Sequence, residues 1–232
     1  MAPQIDLNLP TALILIDNQS AFTHPQTVSH WGASRSNPHY EANLQSLLST
    51  FRDAQASSST PLEVIHVFHS SDSSSSPLHA SHPAGGIRPL EFAVPVADGS
   101  EPVFWKNVNS SFIGTNLESY LRERAIRQII CAGLTTDHCV STTVRMAANL
   151  GVVDRLLDDG PVRFRPDGSR ENEVRVEKGR IFLVSDATAT FSKGDFDAET
   201  VHQVSVASLD GEFADVIGTE EVVRALKDIK KT

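Results

Sequence analysis

The chain has 232 residues, 40% hydrophobic and 21% charged, with 20 Lys and Arg against 29 Asp and Glu for a net charge of −9. A sequence of this size can bury one sizeable core, and its acidic balance argues against a nucleic-acid or anionic-membrane surface, both of which need clustered Lys and Arg. Two cysteines make no disulfide framework, no stretch is apolar for long enough to span a bilayer, and neither MAPQIDLNLP nor the closing KKT resembles an export or anchor signal, so a single cytoplasmic domain over 1–232 with reduced thiols is expected.

Thr11 to Asp17, TALILID, reads as a buried parallel strand with Asp17 at its C-terminal end. Glu41 to Ala54 carries Leu44, Leu47, Leu48 and Phe51 at helical spacing, and Leu62 to Phe68 forms a second apolar run. The region 69–100 holds SSDSSSS, four prolines and Gly85-Gly86, so it is predicted to be a long irregular segment that could close over a site as a lid. Pro102 to Trp105 predicts a short strand leading to Lys106, and Thr115 to Arg124 a helix with Leu117, Tyr120 and Leu121 inward.

Ile129 to Ala132 reads as a strand closed on both faces, Gly133 as its breaker, and Asp137 to Leu150 as the following helix, which delivers Cys139 near a helix N-terminus. Backbone N–H groups there favour negative charge, predicting a depressed thiol pKa. The stretch 152–178 breaks the rhythm and looks like an inserted, exposed hairpin around a PDGS turn, suited to an interface or edge. Ile181 to Ser185 resumes the sheet, and Ala198 to Leu209 and Glu220 to Ile229 predict two closing helices. The alternation implies an α/β fold, a three-layer α/β/α sandwich around a mainly parallel, Rossmann-like sheet. Ligands of such sheets bind beyond the carboxyl ends of the strands.

Asp17, Lys106 and Cys139 all fall at such ends. A thiol needs a proton acceptor and a nearby positive charge to act as a nucleophile, and these residues supply both. Phe22, Trp31, Trp105 and Phe112, with Gln19 and His138 as polar candidates, are the candidate substrate-binding residues; some of the aromatics are expected in the core, and Phe22 and Trp31, in the irregular segment after Asp17, are where a flat or small cyclic amide would stack. His66, His69 and Asp72 suggest a metal cluster at first, but His66 lies within an apolar strand as a core residue would; no metal and no other cofactor is expected.

Four segments, LILIDNQSAF (13–22), VFWKNVNSSFIGTNLESYLR (103–122), IICAGLTTDHCVSTTVRMAANLGV (129–152) and IFLVSDATAT (181–190), resemble in order the isochorismatase-like cysteine hydrolases, which include nicotinamidases and related amidases. The pattern Gly133, Thr136, Cys139, Val140, Thr143 carries most of that resemblance, with Lys106, Ser110 and Phe112 adding to it. It implies an Asp17-Lys106-Cys139 triad and a non-proline cis peptide at Leu134–Thr135, which would set the Thr135 N–H beside that of Cys139 as an oxyanion hole. The implied activity is hydrolysis of a small-molecule C–N bond through a cysteine thioester, by an oligomer of identical chains. The alternative is isochorismatase-type cleavage of a vinyl ether with release of pyruvate, with Asp17 as general acid. HVFHSSD at 66–72 departs from the metal-binding pattern of nicotinamidases.

Overall fold

Residues 4–229 are described by the computed structural model; Met1 to Pro3 and the KKT end lie outside the described residues. Alternation of apolar side chains along the strands gives the sheet two buried faces. In β1 (Thr11–Ile16), Leu13 and Leu15 enter one core while Ala12, Ile14 and Ile16 enter the other. The strands β2 (Leu62–His69), β3 (Val103–Lys106), β4 (Gln128–Leu134), β7 (Arg180–Ala189) and β8 (Asp215–Ile217) join β1 in one six-stranded sheet of order β3-β2-β1-β4-β7-β8, every pairing parallel.

Helix α1 (Tyr40–Gln55) packs Leu44, Leu47, Leu48 and Phe51 into the first core beside Val222 and Leu226 of α5 (Thr219–Asp228). Helices α2 (Leu117–Glu123) and α3 (Ser141–Leu150) close the opposite face through Leu117, Leu121, Val144 and Ala147. The result is the expected three-layer sandwich. Local signals fix several ends: Asp197 caps α4 (Ala198–Ala207) by accepting from Thr200 N, and Gly151 ends α3 in the left-handed region at φ 57.

Two sequence expectations need correction. Gly133 does not break β4; the strand runs through it in register with Ile16, and a Cβ there would collide with the Ile16 carbonyl oxygen. The glycine permits close approach of two strands. Cys139 does not sit in the first turn of an α-helix, because Thr136–Val140 form a π-helical turn before α3 begins. The edge strand β8 also had no counterpart in the sequence reading.

Within 152–178, β5 (Arg155–Leu156) and β6 (Val176–Glu177) pair antiparallel, extended by a bridge between Phe164 and Arg170 and an Asp158–Arg175 ion pair. In 69–100 the regular structure is the short turn Glu91–Ala93, yet backbone bonds from Ser20 to Arg88, Ala21 to Gly86 and Leu90 to Asn18 fasten the segment along the chain after β1. No helix among the described residues is long and apolar enough to cross a membrane.

Candidate active site

The carboxyl ends of β1, β3 and β4 converge. Asp17, just beyond β1, has φ 51, and its N–H donates to Val67 O at 2.8 Å. A non-glycine residue held in the left-handed region is strained locally, a feature concentrated at functional sites. Lys106, the last residue of β3, lies in register with His69 on β2. Its Nζ donates to Asp17 Oδ2 at 2.7 Å and lies 3.3 Å from Cys139 Sγ and 3.2 Å from His69 Nδ1. Asp17, Lys106 and Cys139 are 0%, 3% and 8% exposed. Asp17 Oδ1 has no hydrogen-bond partner among the described residues.

The environment of Cys139 reverses one expectation. Burial raises the thiol pKa and the Asp17 carboxylate raises it further, while Lys106 pulls it down without restoring the ordinary value. The resting residue is therefore a neutral thiol beside an ion pair. The acceptor for its proton is at hand, since a carboxylate oxygen of Asp17 lies within 4.8 Å of Sγ.

Asp17 and Cys139, but not Lys106, line a cavity of about 260 Å³ with His69, Phe22, Trp31, Phe191, Leu78, Ser76, His30, Asn109, Thr135, His138 and Lys193. Phe22 stacks against Trp31 at 4.4 Å between centroids and faces Phe191 at 6.4 Å, forming an aromatic wall. His138 and Lys193 flank Asp137 at 3.4 and 3.3 Å. Burial would raise the Asp137 carboxyl, but the Thr190 hydroxyl and the neighbouring His138 and Lys193 side chains hold it below its usual range. The Leu134–Thr135 peptide is cis. A buried His202 ties the turn to α4 through Thr136 Oγ1 at 2.9 Å.

Of the predicted binding residues, Phe22, Trp31 and His138 line the cavity. Gln19 does not: its buried amide accepts from His69 N and donates to His69 O and Ile87 O, which makes it a backbone clamp. Trp105 is 47% exposed and packs on Phe68 at the sheet edge, and Phe112 is in the core on the α2–α3 face. Asn109, Phe191 and Lys193 have no counterpart in the sequence reading, and His69 was weighed there only as a metal ligand; the alternation of β2 could have marked it for the site, since it shares the strand-end position of Lys106.

The apparent cluster of His66, His69 and Asp72 does not converge. His66 Nε2 pairs with Glu101 at 2.8 Å, Glu101 also holds Arg52 through two bonds, and Asp72 accepts from Asn107. Asp17, His69 and Cys139 do bring ligand atoms within 4.8 Å of one another. The Lys106 ammonium already engages all three, so a metal ion would have to displace a cation from their midst.

The isochorismatase domain profile matches residues 11–221. The isochorismatase family protein YrdC of Bacillus subtilis (strain 168) is 34% identical over 217 residues, covering 91% of this chain and 94% of that protein. The ureidoacrylate amidohydrolase RutB of Rhizobium rhizogenes (strain K84 / ATCC BAA-868) is 36% identical over 87 residues, 36% of this chain and 35% of that one. An isochorismatase-family crystal structure from Chromobacterium violaceum ATCC 12472 superposes with a TM-score of 0.74 at 30% identity, covering 98% of both chains.

Proposed function

This chain belongs to the isochorismatase family of hydrolases, and from that premise we propose that it cleaves a C–N bond of a small amide or ureido compound through a Cys139 thioester. The observation that carries this reading is the buried Lys106 ammonium in contact with Asp17 and Cys139, two residues that line a cavity, with Asp17 Oδ1 left unpartnered among the described residues. The amidohydrolase named among the relatives supports C–N chemistry, and because the match spans about a third of each chain, ureidoacrylate enters as a test substrate.

In this mechanism Asp17 takes the thiol proton as Sγ attacks the carbonyl carbon, and the Lys106 ammonium, in contact with both groups, stabilises the negative charge as it passes from the carboxylate to sulfur. The carbonyl oxygen, now an anion, is held by the backbone amides of Thr135 and Cys139, two residues that line the cavity. Asp17 then passes the proton to the departing nitrogen, and the C–N bond breaks to leave a thioester. Water enters, gives its proton to Asp17 and attacks the thioester carbon. The acid departs and the proton returns to sulfur. Phe22, Trp31 and Phe191 supply apolar area for a flat acyl group.

The protein is incubated with ureidoacrylate, a panel of small primary amides and isochorismate, and ammonia and pyruvate are measured. Ammonia release that disappears in Cys139→Ala supports the reading. Pyruvate release from isochorismate that survives in Cys139→Ala overturns it in favour of vinyl ether cleavage, which needs no thiol. A small molecule is the only ligand this reading requires; self-association of the chain, which the family resemblance implies, is checked by sedimentation.

A further inference from the structure

His69 ends β2 beside the reacting groups, and the mechanism above does not use it. Its position is fixed from two sides. The buried Gln19 amide clasps its backbone, accepting from His69 N at 2.8 Å and donating to His69 O at 2.9 Å, while its ring meets Lys106 Nζ at 3.2 Å through Nδ1. An ammonium has donors and no acceptor, so Nδ1 must offer its lone pair. In a neutral imidazole the proton is then on Nε2. Burial, followed by the adjacent Lys106 charge, lowers the His69 pKa and favours that neutral ring.

His69 lines the cavity, and the hydrogen bond its ring makes among the described residues is through Nδ1, not Nε2. The ring therefore turns one nitrogen to Lys106 and keeps a single N–H donor for whatever occupies the cavity. One nitrogen of its ring lies within 4.8 Å of Cys139 Sγ, which sets the ring beside a carbonyl under attack by that sulfur, within reach of the acyl group that carbonyl belongs to. The acyl part stays in the cavity through both half-reactions, so a donor on its side acts throughout.

Resting on the thioester reading, we propose that His69 is a substrate-contacting residue whose Nε2–H donates to a second oxygen acceptor on the acyl group. The site thereby selects acyl groups with a carbonyl-type oxygen beyond the scissile carbonyl over plain aliphatic ones. A site built to satisfy such an oxygen discriminates against the isostere lacking it, because its donor is left unpaired.

Two esters of equal chain length test this, 4-nitrophenyl acetoacetate and 4-nitrophenyl butyrate, with acylation of Cys139 followed by nitrophenolate release and peptide mass. The readout is the ratio of kcat/KM for the two esters, which cancels their intrinsic reactivity when variants are compared with the parent chain. His69→Asn keeps an acceptor at the Nδ1 position but cannot reach the cavity, and the ratio falls roughly tenfold. His69→Gln returns an N–H donor near Nε2 and recovers part of it. In parallel, nitrogen-15 NMR of the histidine rings identifies His69, by its loss in His69→Asn, as the Nε2–H tautomer near neutral pH. An unchanged ester ratio in His69→Asn, or a His69 ring protonated on Nδ1, overturns the proposal. Failure of both esters to acylate Cys139 overturns the thioester reading itself, and this inference with it.

Discussion

Lys106 Nζ lies 2.7 Å from Asp17 Oδ2, and neither side chain reaches solvent. Such a pair contributes little net stability while intact, because desolvation offsets the attraction, but loss of one partner strands a buried charge. In this chain the pair also sets the reactivity of a third group. Burial raises the Cys139 thiol, the carboxylate raises it further, and the ammonium opposes both.

Asp17→Asn separates these effects. It removes the proton acceptor, so amide turnover falls roughly 10²–10⁴-fold. It also removes the negative charge that raises the thiol, so iodoacetamide alkylates Cys139 faster near neutral pH than in the parent chain. Loss of both rates together would contradict the assignment of Asp17 as base.

Lys106→Met leaves the Asp17 carboxylate buried without its partner. The unfolding free energy in urea drops by about 3–5 kcal/mol, and adding Asp17→Asn to Lys106→Met restores much of it. A double variant whose loss is the sum of the two single losses would show that the residues do not act as a pair.

Gly133→Ala places a methyl group against the Ile16 carbonyl oxygen at a residue with φ 133. Stability falls by more than about 1 kcal/mol, and turnover falls as well because Ile16 directly precedes Asp17. Urea unfolding and ammonia release check the two losses; a variant matching the parent chain in both would contradict the close strand approach.

Burial lowers the pKa of His66, His69 and His202 from the ordinary 6.5. The unfolded chain takes up protons near that value while the folded chain does not, so the unfolded state binds more protons as pH falls. Stability from these groups is complete above about pH 6.5 and declines below it, until the folded rings also titrate. Urea midpoints measured between about pH 7.5 and 5.5 fall with acidity. A flat midpoint over that interval contradicts the neutral buried rings.

The strand ends bearing Asp17, Lys106 and Cys139 were legible because apolar runs mark parallel strands and the chemistry of such sheets gathers at one edge. The aromatic wall was legible only in part. Phe22 and Trp31 follow Asp17 in the chain, but Phe191 arrives from beyond β7, a long-range pairing that no local pattern announces. Gln19 and Trp105 have the right chemistry for a pocket, yet the clamp on His69 and the exposed edge of β3 depend on which way each strand end turns. The thiol pKa was misread for a related reason: a helix terminus is visible in sequence, whereas burial beside a carboxylate is a property of the assembled site.

The most direct test is covalent. The protein is mixed with 4-nitrophenyl butyrate, quenched in acid during turnover and digested with a protease that cuts before Asp137, which separates Cys131 from Cys139, and each cysteine peptide is weighed. One butyryl group on the peptide containing Cys139 is expected, absent in Cys139→Ala, with Cys131 unmodified because burial pushes its thiol up to about 12. Turnover of the ester with no acyl group on Cys139, or undiminished turnover by Cys139→Ala, would contradict the account.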